Sequence, residues 1–215
     1  MVSPERLDAL QRTWVWLLQS DGVEPVAAYP VFDRLVAAHS EPHRHYHTLE
    51  HVGEVLRVVG RLGAGLSNLR AVQLAAWFHD AVYDPKAKDN EARSAELAER
   101  ELVTLGLPSD TVKQVSDLIR STAHFSGEDF AGPEFDALHD ADLAILGAAE
   151  ARYRRYADDV RKEYAWVPDA DYRVGRTKVL ESFLNRPHIY RTEVMRAEGD
   201  EPARRNLREE IERLS

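Results

Sequence analysis

The sequence predicts an all-α protein, a single compact multi-helix bundle, on three observations. Apolar residues recur at three- and four-residue intervals along most of the chain. Runs that alternate apolar and polar residues between turn residues, the mark of strands, are almost absent. Breaks such as Asp21-Gly22, Ser40-Glu41-Pro42 and Gly63-Ala64-Gly65 divide the periodic pattern into pieces of helical length.

In chain order, Leu7, Leu10, Trp14, Leu17 and Leu18 mark a first amphipathic helix over about 4–19, closed by Asp21-Gly22. A second runs from about Pro25 to Ala38. Thr48 reads as an N-cap, with His51 at the N3 position where a capping box would place Glu. The helix that follows carries Val52, Val55, Leu56, Val59 and Leu62 and stops at Gly63. Leu69, Val72, Ala75, Ala76 and Phe78 mark a fourth helix, ending near His79-Asp80, and Val82 to Asn90 with Pro85 is a loop. Further helices are predicted over 91–105, 109–123, 133–146, 149–167 and 170–184, and a last charged one over 201–214. No repeat, low-complexity tract or long linker divides the chain, so the expectation is one domain over 1–215, with helical extensions at both ends.

The chain has 215 residues, and a hydrophobic content of 44% is enough for a packed core. No run of about 18 apolar residues is present, so no membrane span is expected. The start, Met1-Val2-Ser3-Pro4-Glu5-Arg6, lacks the basic and apolar regions of a signal peptide, and a cytoplasmic protein is the simplest expectation. Zero cysteines exclude disulfides, thiolate zinc sites and a cysteine nucleophile. A formal charge of −9 argues against a nucleic-acid polymer or an anionic membrane as partner. An anionic substrate would need local help from a metal or a few arginines.

Four residues place polar chemistry where the helical pattern calls for apolar side chains. His51 lies on the stripe of Val55, Val59 and Leu62. Asp80 shares a face with Ala76, Val72 and Leu69, and His79 lies beside Ala75, Ala76 and Val72. Asp142 shares its face with Leu138, Ile145 and Leu146. Buried charge is costly unless paired or bound to a metal, and a bundle can bring such groups together. Two imidazoles and two carboxylates suit one divalent ion (Mn, Fe, Co, Ni or Zn, with Mg less natural), and a second metal is conceivable without identifiable ligands. Open positions on such an ion would hold acidified water, which favours hydrolysis.

At these residues the chain resembles a family. His51…His79-Asp80…Asp142 is similar to the H…HD…D signature of the HD-domain metal-dependent phosphohydrolases, a helical superfamily. Tyr46-His47-Thr48-Leu49-Glu50-His51 resembles the first histidine segment of cyclic nucleotide phosphodiesterases. Phe78-His79-Asp80-Ala81-Val82-Tyr83-Asp84, Asp89-Asn90-Glu91-Ala92-Arg93-Ser94 and Asp140-Ala141-Asp142-Leu143 look closer still to a group of bacterial HD phosphohydrolases inferred from sequence. Tyr190-Arg191-Thr192 and Ala203-Arg204-Arg205-Asn206-Leu207 resemble that group too, so the similarity covers most of the chain.

The resemblance implies His51, His79, Asp80 and Asp142 as metal ligands. It implies His47, one helical turn from His51, as the acid that protonates the leaving oxygen, a role suited to a group titrating near neutrality. Packing or capping of the helix start is the structural alternative for His47. Asp84 stands where guanosine tetraphosphate hydrolases of the superfamily carry the second residue of a Glu-Asp pair, and the glutamate is replaced by Tyr83. Asp84 either orients water or belongs to an ordinary Asp-Pro turn. His124 at a helix end, with Arg44, Lys86, Lys88, Arg93 and Arg120, makes up the candidate phosphate-binding set. Arg152, Arg154, Arg155, Arg161 and Lys162 read as a solvated helix face.

The expected function is hydrolysis of a phosphoester or phosphoanhydride in a small phosphorylated metabolite, most plausibly a nucleotide, with metal-bound hydroxide as nucleophile. Cyclic nucleotide phosphodiesterase or nucleotide pyrophosphohydrolase activity is the alternative within enzymes. A metal-stabilised nucleotide-binding or sensor protein is the alternative outside them.

Overall fold

A helix that is apolar on every side must be surrounded, and one helix of this chain fits that description. In the computed structural model residues 3–123 and 131–215 are described. Among them are the helices α1 (Pro4–Gln19), α2 (Pro25–Ala38), α3 (Leu49–Leu62), α4 (Leu69–Phe78), α5 (Asn90–Thr104), α6 (Ser109–Ser121), α7 (Pro133–Asp142), α8 (Glu150–Glu163), α9 (Asp169–Leu184) and α10 (Glu193–Leu214). No strand occurs among the described residues, and the all-α expectation holds. In α4, the side chains from Ala71 to Phe78 are all buried except Gln73. Around it pack α3, α5, α6 and α7.

Local chemistry sets most helix ends where the sequence places them. The hydroxyl of Ser3 accepts the amide of Arg6, Thr48 Oγ1 that of Glu50, and Asn68 Oδ1 that of Ala71. Gly22 and Gly106, at φ of +75° and +78°, turn the chain after α1 and α5 in a region that side-chain-bearing residues resist. α1 is tied to the centre by Trp14, whose indole N–H donates to the Ala28 carbonyl at 2.9 Å. Its ring meets Trp77 and Phe78 edge-on at centroid distances of 5.5 and 6.0 Å, directly before His79.

Three boundaries differ from the expectation, each for a tertiary reason. The segment expected as one helix over 133–146 is α-helical only to Asp142, and Leu143–Gly147 form a 3₁₀ turn. Side chains that follow α9 meet the carbonyls of this turn. Tyr190 Oη donates to Leu143 O, and Asn206 Nδ2 donates to Leu146 O and Ala148 O at 2.8 Å each. The helix expected from Ala149 to Val167 ends at Glu163, and Arg161 donates to the carbonyls of Tyr164 and Val167 beyond its end. The last helix starts at Glu193 rather than Glu201. The added turns bring Gly199, a poor helix former, inside α10. Glycine is required at 199 by close packing, because a Cβ there would sit 2.6 Å from the Tyr190 ring.

No helix among the described residues is long and apolar enough to cross a membrane. Trp14→Ala should lower the unfolding free energy by about 3–5 kcal/mol in a denaturant titration, since it removes a buried aromatic and leaves a cavity against α4.

Candidate metal centre

Three helix ends converge on one point beside the core. His51 lies in the first turn of α3, held in register by the Thr48 cap. His79 closes α4 as its C-cap, with Asp80 the next residue, and Asp142 is the last residue of α7. Because α4 and α7 both approach with their C-terminal ends, their dipoles favour a cation there.

The geometry is tight. Nε2 of His51 lies 3.1 Å from Nε2 of His79 and 3.1 Å from Asp142 Oδ1. His79 Nε2 is 3.2 Å from Asp80 Oδ2. The four residues each offer a ligand atom within 4.8 Å of all the others. The tautomer of His79 is set from behind, where Nδ1–H donates to the Ala76 carbonyl at 2.9 Å and leaves Nε2 facing the cluster with its lone pair.

Without a cation this arrangement demands protons in awkward places. Burial disfavours a charged His79, but the Asp80 and Asp142 carboxylates outweigh it and hold its pKa well above the ordinary value. Burial likewise opposes the charge on Asp80, and the imidazoles of His79 and His47 overcome it to hold that carboxyl well below the usual range. Asp142 is depressed in the same way by His51 and His79 against its own burial. Two imidazole nitrogens facing each other at 3.1 Å, backed by two carboxylates, fit one divalent ion of the kind that accepts mixed N/O ligands. The cluster can hold a metal; its donors do not select one ion.

His47 stands outside the four and is held by a residue that the sequence reading passed over as a surface acid. The Glu163 side chain is fully buried. Its Oε1 accepts the backbone amides of His45, Tyr46 and His47 at 2.8–3.0 Å. Oε2 accepts from His47 Nδ1 at 2.7 Å and from the Tyr83 hydroxyl at 2.9 Å. Burial opposes the charged form of both partners, yet Asp80 and Glu163 raise the His47 pKa, and the donors around Glu163 lower its carboxyl to about 2. Tyr83 also stacks on the His47 ring at a centroid distance of 4.2 Å. Tyr83 thus helps to position His47. Glu163 had a legible signal after all: Tyr153, Tyr156, Val160 and Glu163 share one stripe of α8, so an acid occupies a core-facing position there, as His51 does in α3.

The other candidates are placed differently. Arg44 does not offer a free guanidinium to a phosphate. It is buried and donates to Glu41, to the carbonyls of His47 and Asp80, and to Ala81, because the chain leaving α4 has carbonyls to satisfy. Asp84 is exposed and organises its own turn. Its Oδ1 accepts the Lys86 amide at 2.9 Å, and Asn90 bonds its backbone in both directions. Lys88 and Arg93 are exposed and do not line the cavity beside the cluster. Arg120 bonds Ser116 and Glu99, and Lys86 lies over the Trp166 ring. His124 lies outside the described residues. Nor is the α8 basic run uniformly solvated, since Arg152 turns inward to make a two-pronged bond with Glu54 of α3.

A cavity of about 530 Å³ opens beside the cluster, with His47 and Asp142 in its wall. The rest of its wall is mainly Tyr46, Tyr156, Tyr164, Tyr172 and aliphatic side chains of the 3₁₀ turn and α9 such as Ile145 and Val179. Its one arginine among the described residues, Arg176, is paired with Glu210 through Nε at 2.8 Å and Nη2 at 3.2 Å. Comparison with protein-family models, curated proteins and solved structures finds no match.

Binding of Mn²⁺ or Co²⁺ followed by calorimetry should weaken by at least about tenfold in His79→Ala and in Asp142→Ala. Glu163 generates a pH prediction for metal-free protein. Its carboxyl pKa falls from 4.5 to about 2 on folding, so its stabilisation is present above pH 4.5 and is lost as pH falls toward 2. Glu163→Gln should therefore be less stable than wild type at neutral pH, with the gap closing across that acid window in urea titrations.

Proposed function

We propose that the chain is a divalent-metal phosphohydrolase of the HD type, acting on a small organic phosphate such as a nucleotide. What supports this is one juxtaposition: four side chains that can ligate a metal, a carboxylate-held histidine whose ring lies 5.9 Å from that of His51, and an aromatic cavity against both. A divalent ion held by His51, His79, Asp80 and Asp142 supplies acidified water and neutralises phosphoryl oxygens.

The chain's own residues do the rest. Glu163 fixes the His47 ring by its Nδ1 and favours the protonated imidazole, leaving Nε2 as the nitrogen that delivers a proton to the leaving oxygen. Tyr83 and the amides of residues 45–47 keep that pair from drifting. The aromatic wall takes the organic group and sheds water from it. The volume and the tyrosine faces suit one flat ring such as a nucleobase. They do not suit a polyphosphate tail, since the wall's only arginine is neutralised by Glu210 while Asp171 adds negative charge. The cavity thus favours a phosphomonoester or cyclic diester over a nucleoside triphosphate.

Phosphate release from a panel of nucleoside mono-, cyclic mono- and triphosphates, with Mn²⁺ added, is the direct test. Turnover of a monophosphate or cyclic monophosphate should vanish in Asp80→Ala. In His47→Gln, kcat should fall about 10²–10⁴-fold with metal content unchanged. Tight metal binding with no turnover of any ester would leave a metal-stabilised binding protein instead.

A further inference from the structure

On the α3 side of the cluster lies a second, smaller cavity of about 130 Å³, bounded by Tyr46, His51, Glu54, Arg57, Asp142 and Arg152. Two polar atoms there are unusual. Arg152 Nε and Nη2 donate to Glu54 Oε1 and Oε2 at 3.2 and 2.8 Å, but its Nη1 is buried with no partner. The Tyr46 hydroxyl is also buried without a partner, in a residue only 6% exposed. A buried donor left unmade costs about 1–3 kcal/mol, and the two residues that carry these donors line one cavity together with two cluster residues.

We propose that this cavity is an oxyanion subsite, in which Arg152 Nη1 and the Tyr46 hydroxyl donate to the oxygens of a phosphate whose remaining oxygens face the His51–Asp142 side of the metal centre. The inference rests on the metal-centre reading and assigns the substrate's anionic end to a different cavity from its organic end. The volume holds several oxygen-sized groups, since a single water needs only about 15 Å³. Charge is compatible with an anion once a metal is bound. Arg57 and Arg152 balance Glu54 and Asp142 around the small cavity, and a divalent ion on Asp142 would make its surroundings net positive, whereas the large cavity holds a neutralised arginine and Asp171. Glu54 pins two arms of the guanidinium fork and so aims the third, the preorganisation that suits arginine to tetrahedral oxyanions. Tyr46 borders both cavities and packs on the His51 ring at a centroid distance of 4.7 Å, so one residue spans ligand, anion and organic group.

The test is calorimetric titration of the Mn²⁺-loaded protein with inorganic phosphate, which needs no turnover. Saturable binding is expected, weakened about tenfold or more by Arg152→Gln and by Tyr46→Phe, with Mn²⁺ stoichiometry unchanged in both. Arg154→Gln, an exposed neighbour on the same helix, should bind phosphate as wild type does. Tyr46→Phe removes a single oxygen and keeps the packing, so it reads the subsite even where Arg152→Gln fails to fold. Absence of phosphate binding, or equal affinity in wild type and Tyr46→Phe, overturns the proposal. Phosphate binding that depends on Tyr46 and Arg152 in a protein that cleaves no ester upholds the subsite and removes only the catalytic reading.

Discussion

The Glu163 carboxylate is the acceptor on which the arrangement around the cluster depends. It takes donors from three consecutive amides, one imidazole and one phenol, and all of them lie far from it in sequence. The segment before α3 has no regular structure to satisfy its own backbone, and buried amides without partners are costly. One carboxylate at the end of α8 solves that problem and, by doing so, decides where α3 begins. The position of His51 follows from the start of α3, and the orientation of His47 follows from the same bond network. A charge that costs free energy to bury is retained because its donors are already in place.

The same device recurs. Asp140, wholly buried in α7, accepts the amides of Arg191 and Thr192 together with the Thr192 hydroxyl, each at 2.7 Å. That ties the start of α10 to the helix that ends in Asp142. Asp200 accepts the amides of Ile189 and Tyr190. Arginines perform the complementary task on carbonyls: Arg44 behind His79-Asp80, Arg161 after α8, and Arg204 after α9. Irregular backbone in this bundle is held by charged side chains, all but Arg44 projecting from helices, and the cluster residues sit where such segments meet the core.

Around the cluster the environment is lopsided, and that asymmetry bears on chemistry. One side is broad, aromatic and poor in free positive charge. The other is small and polar, bordered by two arginines, Glu54 and the cluster residue Asp142. On the proposed function, a ligand carrying an anionic group and a ring would straddle the cluster, with its anionic end toward Arg152 and its ring toward Tyr156. The division follows from α8: its successive turns present Arg152 to one cavity and Tyr156 and Val160 to the other.

Periodicity and turn residues determined the all-α class, most helix ends and the inward placement of His51, His79, Asp80 and Asp142, because those properties are local. A helix stripe can be read from spacing, and a polar residue on that stripe stands out wherever the stripe later packs. Arg44 and Arg152 were opaque because a charged residue is usually solvated, and only the packed chain shows which carbonyl or carboxylate it meets. The earlier start of α10 was opaque for the converse reason, since glycine disfavours a helix locally and only the packed chain shows Gly199 fitting against the Tyr190 ring. Which residues can ligate was therefore written in the sequence. That three helix ends meet, and that a buried glutamate holds the third histidine of the neighbourhood beside them, was decided by tertiary structure, because burial and hydrogen-bond completion are properties of the assembled core.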